Sequence, residues 1–421
     1  MLNYCTEHGS GKTLTIAAKV KYLIDFQNVN PESILLIAFT NKSANEMTER
    51  IQKILNTKTN VRALTFHKLG LKIIYMAENL QKSNENTIPD LPPLSKNSKI
   101  DFSDMIQLST ELVEKNKVPL SYQYIIIDEY QDISYDRYRL VKAIKDKTKA
   151  KLTCVGDDWQ SIFGFSGNDI DLFCNFEKYF GKTQIVKLKR TYRNSKGLIA
   201  KASLFIQQNP DQIKKKLTSH KRLRNPIIAC KYSFEPTHAL RYALHDIYQR
   251  YGEKAEVLLL GRTKYDLNDY VDNKIYYSPK TRKVIYILHP DMQIQFMTIH
   301  EAKGLEADNV IILNMKDAII GFPNKMENES DNKETYPYAE ERRLFYVALT
   351  RTRNRVYLMV PTHKPSLFYQ ELSKITWIKT VFTEEEQELE EVPICPICKK
   401  NHLKLKESDG IKYWFCSNCD K

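Results

Sequence analysis

Four short segments carry side chains suited to phosphate chemistry, and their order along the chain is more informative than any one of them. Gly9-Ser-Gly-Lys-Thr13 comes first, followed by Asp128-Glu-Tyr-Gln-Asp132 and Gly156-Asp-Asp-Trp-Gln160. Glu340-Glu-Arg-Arg-Leu-Phe-Tyr-Val-Ala-Leu-Thr-Arg351 closes the series. A glycine-rich turn that opens a helix points backbone N–H groups at phosphate, and the helix dipole adds to the attraction. Gly9 and Gly11 permit such a turn around Ser10, Lys12 would reach the β- and γ-phosphates, and Thr13 would ligate Mg²⁺. Asp128 and Glu129 follow the apolar run Tyr124-Ile-Ile-Ile127, which sets two carboxylates at the C-terminal edge of a buried strand. Open α/β sheets bind ligands at that edge. Asp128 would hold Mg²⁺, and Glu129 would activate an attacking water. Gln160, just past another strand end, could sense a γ-phosphate. Phosphoryl transfer also needs positive charge that arrives late, for which Arg193 and Arg351 are the candidates. Each segment alone has an ordinary reading as a turn, a solvated strand end or a surface ion pair; all in series do not.

These groups need a scaffold that brings distant segments to one edge. Seven apolar runs suit buried parallel strands: Ile34–Phe39, Tyr124–Ile127, Leu152–Val155, Ile185–Leu188, Val257–Leu260, Val310–Leu313 and Val356–Val360. Helical patterns lie between them, as at Ala44–Leu55, Tyr138–Ile144 and Glu340–Leu349. Alternating strands and helices predict an α/β fold, and the number of strands predicts two sheets. The expected division is a first lobe over residues 1–190 with a small insertion near 71–120, and a second lobe over 191–378. An acidic linker over 379–392 and a cysteine module over 393–421 follow. Residues 80–100 and 324–337 are polar and read as loops.

At 421 residues the chain is too long for one compact core. Its 64 Lys and Arg against 51 Asp and Glu give a formal charge of +13, which favours a polyanionic partner such as nucleic acid, although a generically basic surface reads the same way. No apolar run approaches the ~20 residues that span a bilayer, so no membrane partner is expected. A cytoplasmic location and a monomer are expected.

The chain resembles the UvrD/Rep-type superfamily 1 DNA helicases, and within them the helicase IV branch. The resemblance is carried by Ala38-Phe-Thr-Asn-Lys-Ser-Ala44, Leu64-Thr-Phe-His67, Asp101-Phe-Ser-Asp-Met-Ile106 and Val155-Gly-Asp-Asp-Trp-Gln-Ser-Ile-Phe-Gly-Phe-Ser-Gly167. Met297-Thr-Ile-His-Glu-Ala-Lys-Gly-Leu-Glu-Ala-Asp308, Gly321-Phe-Pro323 and the Glu340–Arg353 stretch complete it. It implies two RecA-like parallel-sheet lobes, ATP with Mg²⁺, and stepping 3′→5′ along single-stranded or partly duplex DNA, in repair or recombination. Residue by residue it implies Lys12 and Thr13 on phosphate and Mg²⁺, and Asp128 and Glu129 as metal ligand and catalytic base. Gln160 becomes the γ-phosphate sensor, Tyr192 stacks on adenine, Arg193 and Arg351 are arginine fingers, and Gly304 and Glu306 lie by the nucleotide. Candidate strand contacts are Phe39, Thr40, Asn41, Phe66, His67, Phe163, Phe165, Thr298 and His300, since bases stack on aromatic rings. Only 35 residues separate Arg262 from Thr298, too few for the large accessory domain that UvrD and Rep insert there.

Cys395-Pro-Ile-Cys398 and Cys416-Ser-Asn-Cys419 have the spacing of a four-thiolate Zn²⁺ site, a zinc ribbon. Its lysines and aromatics suit single-strand DNA, and a protein partner is the competing role. Residues 1–8 supply neither the apolar strand nor the upstream glutamine that the family places before the phosphate loop. A truncated start is therefore expected. The alternative function is a weak or inactive remnant that only binds DNA or protein.

Overall fold

The computed structural model describes residues 2–5, 11–55, 61–83, 101–326 and 334–383. Of the C-terminal stretch it describes 395, 397, 398, 404–408, 411–416 and 419. The chain divides into two compact units, Met1–Lys189 and Arg190–Lys421.

The first unit is built on six strands: β1 (Leu2–Cys5), β2 (Ile34–Ala38), β3 (Ala63–Thr65), β4 (Tyr124–Ile127), β5 (Lys151–Gly156) and β6 (Gln184–Lys187). They form one parallel sheet in the order β3-β2-β4-β5-β1-β6. Every residue of β2 is buried, as continuous aliphatic runs covered on both faces require. Helices α1 (Lys12–Asp25) and α2 (Asn41–Leu55) cover one face. Ile16, Ala17, Val20 and Leu23 of α1 meet Ala44, Met47, Ile51 and Leu55 of α2, both sets at helical spacing. Helices α3 (Phe66–Ser83), α4 (Phe102–Glu114) and α5 (Tyr135–Thr148), with the short α6 (Asp171–Cys174) and α7 (Phe176–Phe180), complete the unit.

β1 corrects the expectation that the first residues supply no strand. Leu2–Cys5 pairs in parallel with Thr153–Gly156 on one side and Gln184–Lys187 on the other. Ladder pairing uses backbone groups that any non-proline residue carries, so four residues held between two neighbours form a strand without an aliphatic run.

The second unit begins with α8 (Lys196–Ile206), β7 (Ile227–Tyr232), α9 (Pro236–Tyr251) and β8 (Glu256–Gly261). β9 (Ile275–Ser278), β10 (Lys283–Tyr286), β11 (Gln293–Thr298) and β12 (Asn309–Ile312) follow. The unit continues through α10 (Ala339–Thr350), β13 (Val356–Pro361), α11 (Leu367–Ile375) and β14 (Lys379–Phe382). Its sheet runs β14-β7-β13-β12-β8-β11-β10-β9. Six strands are parallel; β9 and β10 form an antiparallel hairpin at one edge, so this sheet is mixed rather than purely parallel. The hairpin fills the short stretch between Arg262 and Thr298. β14 takes the first residues assigned to the acidic linker, because they extend the ladder beside β7. Residues 384–391 lie outside the described residues. β15 (Lys404–Ser408) and β16 (Ile411–Phe415) make a separate antiparallel pair between the two cysteine pairs. Among the described residues no helix is long and apolar enough to cross a membrane.

Candidate nucleotide site and strand-binding edge

Parallel order places the chemistry. β4, β5 and β1 are neighbours, with Ile127 beside Cys154 and Cys5 beside Gly156, so their C-terminal ends share one edge. Asp128 and Glu129 leave β4 there, Asp157 to Gln160 leave β5, and α1 opens at Lys12, seven residues after the end of β1. Gly9 and Ser10 lie outside the described residues. Gly11 caps α1 at φ 85°, a left-handed conformation that costs glycine little. Lys12 is the first helical residue and Thr13 the second, half-buried.

A chain of polar contacts joins the segments. The Lys12 ammonium lies 2.9 Å from Glu129 Oε2, which also accepts from Gln131 Nε2 at 2.6 Å. Gln131 Oε1 accepts from the Asp157 backbone N–H at 3.0 Å, and Gln160 Nε2 donates to Asp157 Oδ2. Glu129 itself sits at φ 50°. A non-glycine residue there is held by its surroundings, here by the Asp128 side chain accepting from the Glu129 N–H at 2.9 Å. Gly156 has a packing reason: an added Cβ would come within 2.6 Å of the Gln131 side-chain oxygen. Gln131 and Asp157 therefore belong to the site as connectors, inside segments already notable for their carboxylates.

Burial is the largest influence on both charged partners. It would lower the Lys12 pKa, but the negative charges of Glu129, Asp128 and Asp157 outweigh it and the net shift is upward. Burial, then the Glu129 charge, push the Asp128 carboxyl up to about 7, against the pull of Lys12. Asp128 and Thr13 carry hard oxygen donors of the kind that suits Mg²⁺, and they are the residues that would hold it. A stability prediction follows from the Asp128 shift. The folded chain keeps this proton to about pH 7, whereas the unfolded chain releases it near 3.8. Without metal, stability from this group is present below that lower value and is lost as pH rises to about 7. Asp128→Asn is expected to stabilise the Mg²⁺-free chain above pH 7 by about 2–4 kcal/mol, read as a higher melting temperature, with no gain near pH 4. Thermal melts across that range test it; a gain independent of pH would contradict the assignment.

The β2–β3 side of the same edge carries the expected strand contacts. Phe39 follows β2, half-buried; Thr40 is exposed and spends its hydroxyl capping α2 through the Ser43 N–H, and Asn41 is exposed. Phe66 opens α3. It is 2% exposed and supports Phe39 edge-on at 5.3 Å. Arg137 lies over both rings, at 5.4 and 5.7 Å from their centroids, a cation at this edge that no motif signalled. His67 is half-buried beside exposed Phe102, at 4.3 Å. Burial, then Arg137, lower its pKa, which leaves the ring neutral at pH 7. Phe165 is 74% exposed and props against half-buried Phe163 at 5.9 Å, a geometry open to stacking.

In the second unit, Tyr192 is exposed and Arg193 buried. Arg193 Nε donates to Glu306 Oε2 at 2.6 Å, and Arg353 Nε reaches Glu306 Oε1 at 3.1 Å. Burial would raise the Glu306 pKa, but Arg193 and Arg353 outweigh it and hold it down. Gly304, at φ 86°, makes the turn before Glu306. Arg351 lies at the C-terminal end of α10. It is fully buried and donates to the Val347 carbonyl at 3.0 Å and the Thr350 hydroxyl at 3.3 Å, which ties down the end of α10. Thr298 donates its hydroxyl to Glu301, which also pairs with Arg282; His300 is half-buried one turn on.

The four C-terminal sulfurs lie within 4.8 Å of one another, with Cys395 to Cys419 at 3.7 Å and Cys398 to Cys416 at 3.6 Å. A disulfide would be about 2.05 Å. Tetrahedral Zn²⁺ with bonds of about 2.3 Å has sulfur–sulfur edges of about 3.8 Å, so the donor set fits zinc.

Comparison with known proteins agrees with this geometry. Residues 5–166 match the AAA domain family and residues 280–362 the UvrD-like helicase C-terminal domain family. DNA helicase IV of Escherichia coli (strain K12) is 29% identical over an alignment covering 87% of this chain and 67% of that protein. The ATP-dependent DNA helicase PcrA of Staphylococcus aureus (strain Mu50) is 31% identical over 48% of this chain and 37% of its own length. PcrA of Staphylococcus epidermidis is 28% identical, over 61% and 45%. The chain thus spans about two thirds of the helicase IV relative and less than half of either PcrA. With one match on each unit and the carboxylate pair, lysine and glutamine joined at one sheet edge, the chain is similar to the UvrD/Rep-type helicases over most of its length.

Proposed function

We propose that the chain is an ATP-driven motor that steps 3′→5′ along single-stranded DNA and opens duplex ahead of it, in repair or recombination. The observation that carries this reading is the contact chain Lys12–Glu129–Gln131–Asp157–Gln160 at one sheet edge. Lys12 holds Glu129 while no phosphate is present. A nucleotide's phosphates draw Lys12 away, and Glu129, still held by Gln131, is released to accept a proton from the attacking water. Mg²⁺, when bound, neutralises charge on the phosphates. Gln160, linked through Asp157 and Gln131 to Glu129, reports the γ-phosphate to the strand-binding segments that leave the same edge. Arg193 is the candidate for the positive charge that phosphoryl transfer needs late in the step. The inactive-remnant alternative leaned on a missing first strand and a missing upstream glutamine; on the first of these, β1 supports the motor.

Unwinding of partial duplexes bearing a 3′ or a 5′ single-stranded tail tests the reading. ATP-dependent opening of the 3′-tailed substrate alone is expected; opening from the 5′ tail would reverse the polarity. Phe165→Ala is expected to weaken single-strand binding by about 1–3 kcal/mol through lost stacking. Fluorescence anisotropy with a labelled oligonucleotide measures this, and unchanged affinity would remove Phe165 from the path.

A further inference from the structure

The β9–β10 hairpin has two apolar faces, which an edge hairpin exposed to water would not need. Ile275 and Tyr277 of β9, with Val284 and Tyr286 of β10, turn into the main core of the second unit. Strand alternation sends Tyr276, Ile285 and Ile287 to the opposite face. That face is covered: Tyr276 forms a small buried cluster with Cys395 and Cys416, and Ile285, Ile287, Cys398 and Cys419 pack around it. Tyr276 is only 6% exposed although β9 is the last strand of the sheet. β16 of the cysteine module lies against β9. Uncovered edge strands invite unwanted pairing, and covering them with another element is a common remedy.

We propose that the four-cysteine module is a metal-locked brace on the second unit rather than a binding head on a tether. Metal occupancy then sets the order of the hairpin that leads into Thr298 and His300, and Tyr276 is the positioning residue of the contact. This rests on the zinc reading of the four thiols. A module this small cannot hold a core by hydrophobic burial, so without metal its two cysteine pairs separate. The cover over Tyr276, Ile285 and Ile287 goes with them. Linkage makes the effect mutual: metal steadies the hairpin, and the docked hairpin slows metal loss.

Hydrogen exchange on the zinc-loaded full chain, before and after chelation, tests this. Faster exchange across 275–287 is expected on metal removal, with 34–38 of the first unit unchanged. Tyr276→Ser is expected to speed zinc transfer to a chromogenic chelator by about tenfold or more, while Tyr276→Phe keeps the parent rate. Unchanged exchange across 275–287 after chelation would overturn the brace, as would parental zinc release from Tyr276→Ser. If that variant fails to fold, exchange on the unsubstituted chain still decides. Cobalt substitution separates the two readings: missing thiolate charge-transfer bands would sink the metal site itself. Bands present with unchanged exchange would sink the brace alone.

Discussion

Glutamine in place of Glu129 is expected to lower ATP turnover by about a thousandfold, within the 10²–10⁴ range that a positioned general base supplies. The side chain keeps its length, so its amide can still meet Gln131, whose Nε2 now stands 2.6 Å from Glu129 Oε2. What is lost is the charge that accepts a proton. The same change removes the ammonium's partner at 2.9 Å, leaving Lys12 readier for phosphate. ATP affinity is therefore expected to hold or rise while turnover collapses. Rapid mixing with a fluorescent ATP analogue separates the two; equal losses of binding and turnover would mean that Glu129 merely holds Lys12.

Arg193→Ala is expected to be nearly as damaging, with a fall in kcat of at least about a hundredfold, since an arginine finger contributes 10³–10⁵ in related phosphoryl-transfer enzymes. Single-strand affinity should change little. Arg193 already points its guanidinium at a carboxylate, Glu306, so the ion pair is the competing role. Arg193→Lys distinguishes them. Lysine preserves the charge opposite Glu306 but not the planar fork. Recovery of turnover with lysine would assign Arg193 to the pair, and continued loss assigns it to the phosphate. Arg351→Ala should behave differently and register first as a lower melting temperature. Its guanidinium is buried and holds the end of α10.

The sequence made the strands with aliphatic runs legible, and with them the edge where Lys12, Asp128, Glu129 and Gln160 meet. Such runs announce strands buried on both faces. β1 was hidden because four residues including Asn3 show no such run, although pairing on both sides makes it a strand. β9 and β10 were hidden because a hairpin with one face on the core and one on a cysteine module reads as neither alternation nor continuous burial. Phe66 and Arg351 show another limit. Residue type alone does not say that the Phe66 ring packs beneath Phe39 or that the Arg351 guanidinium is buried.

The central claim is that the nucleotide edge drives movement on DNA. The most direct test is ATP hydrolysis by the purified chain with and without single-stranded DNA, beside Lys12→Ala and Glu129→Gln. Turnover that rises with single-stranded DNA and vanishes in both variants is the predicted result. DNA binding without turnover above the variants would contradict a working motor and restore the binding-module alternative.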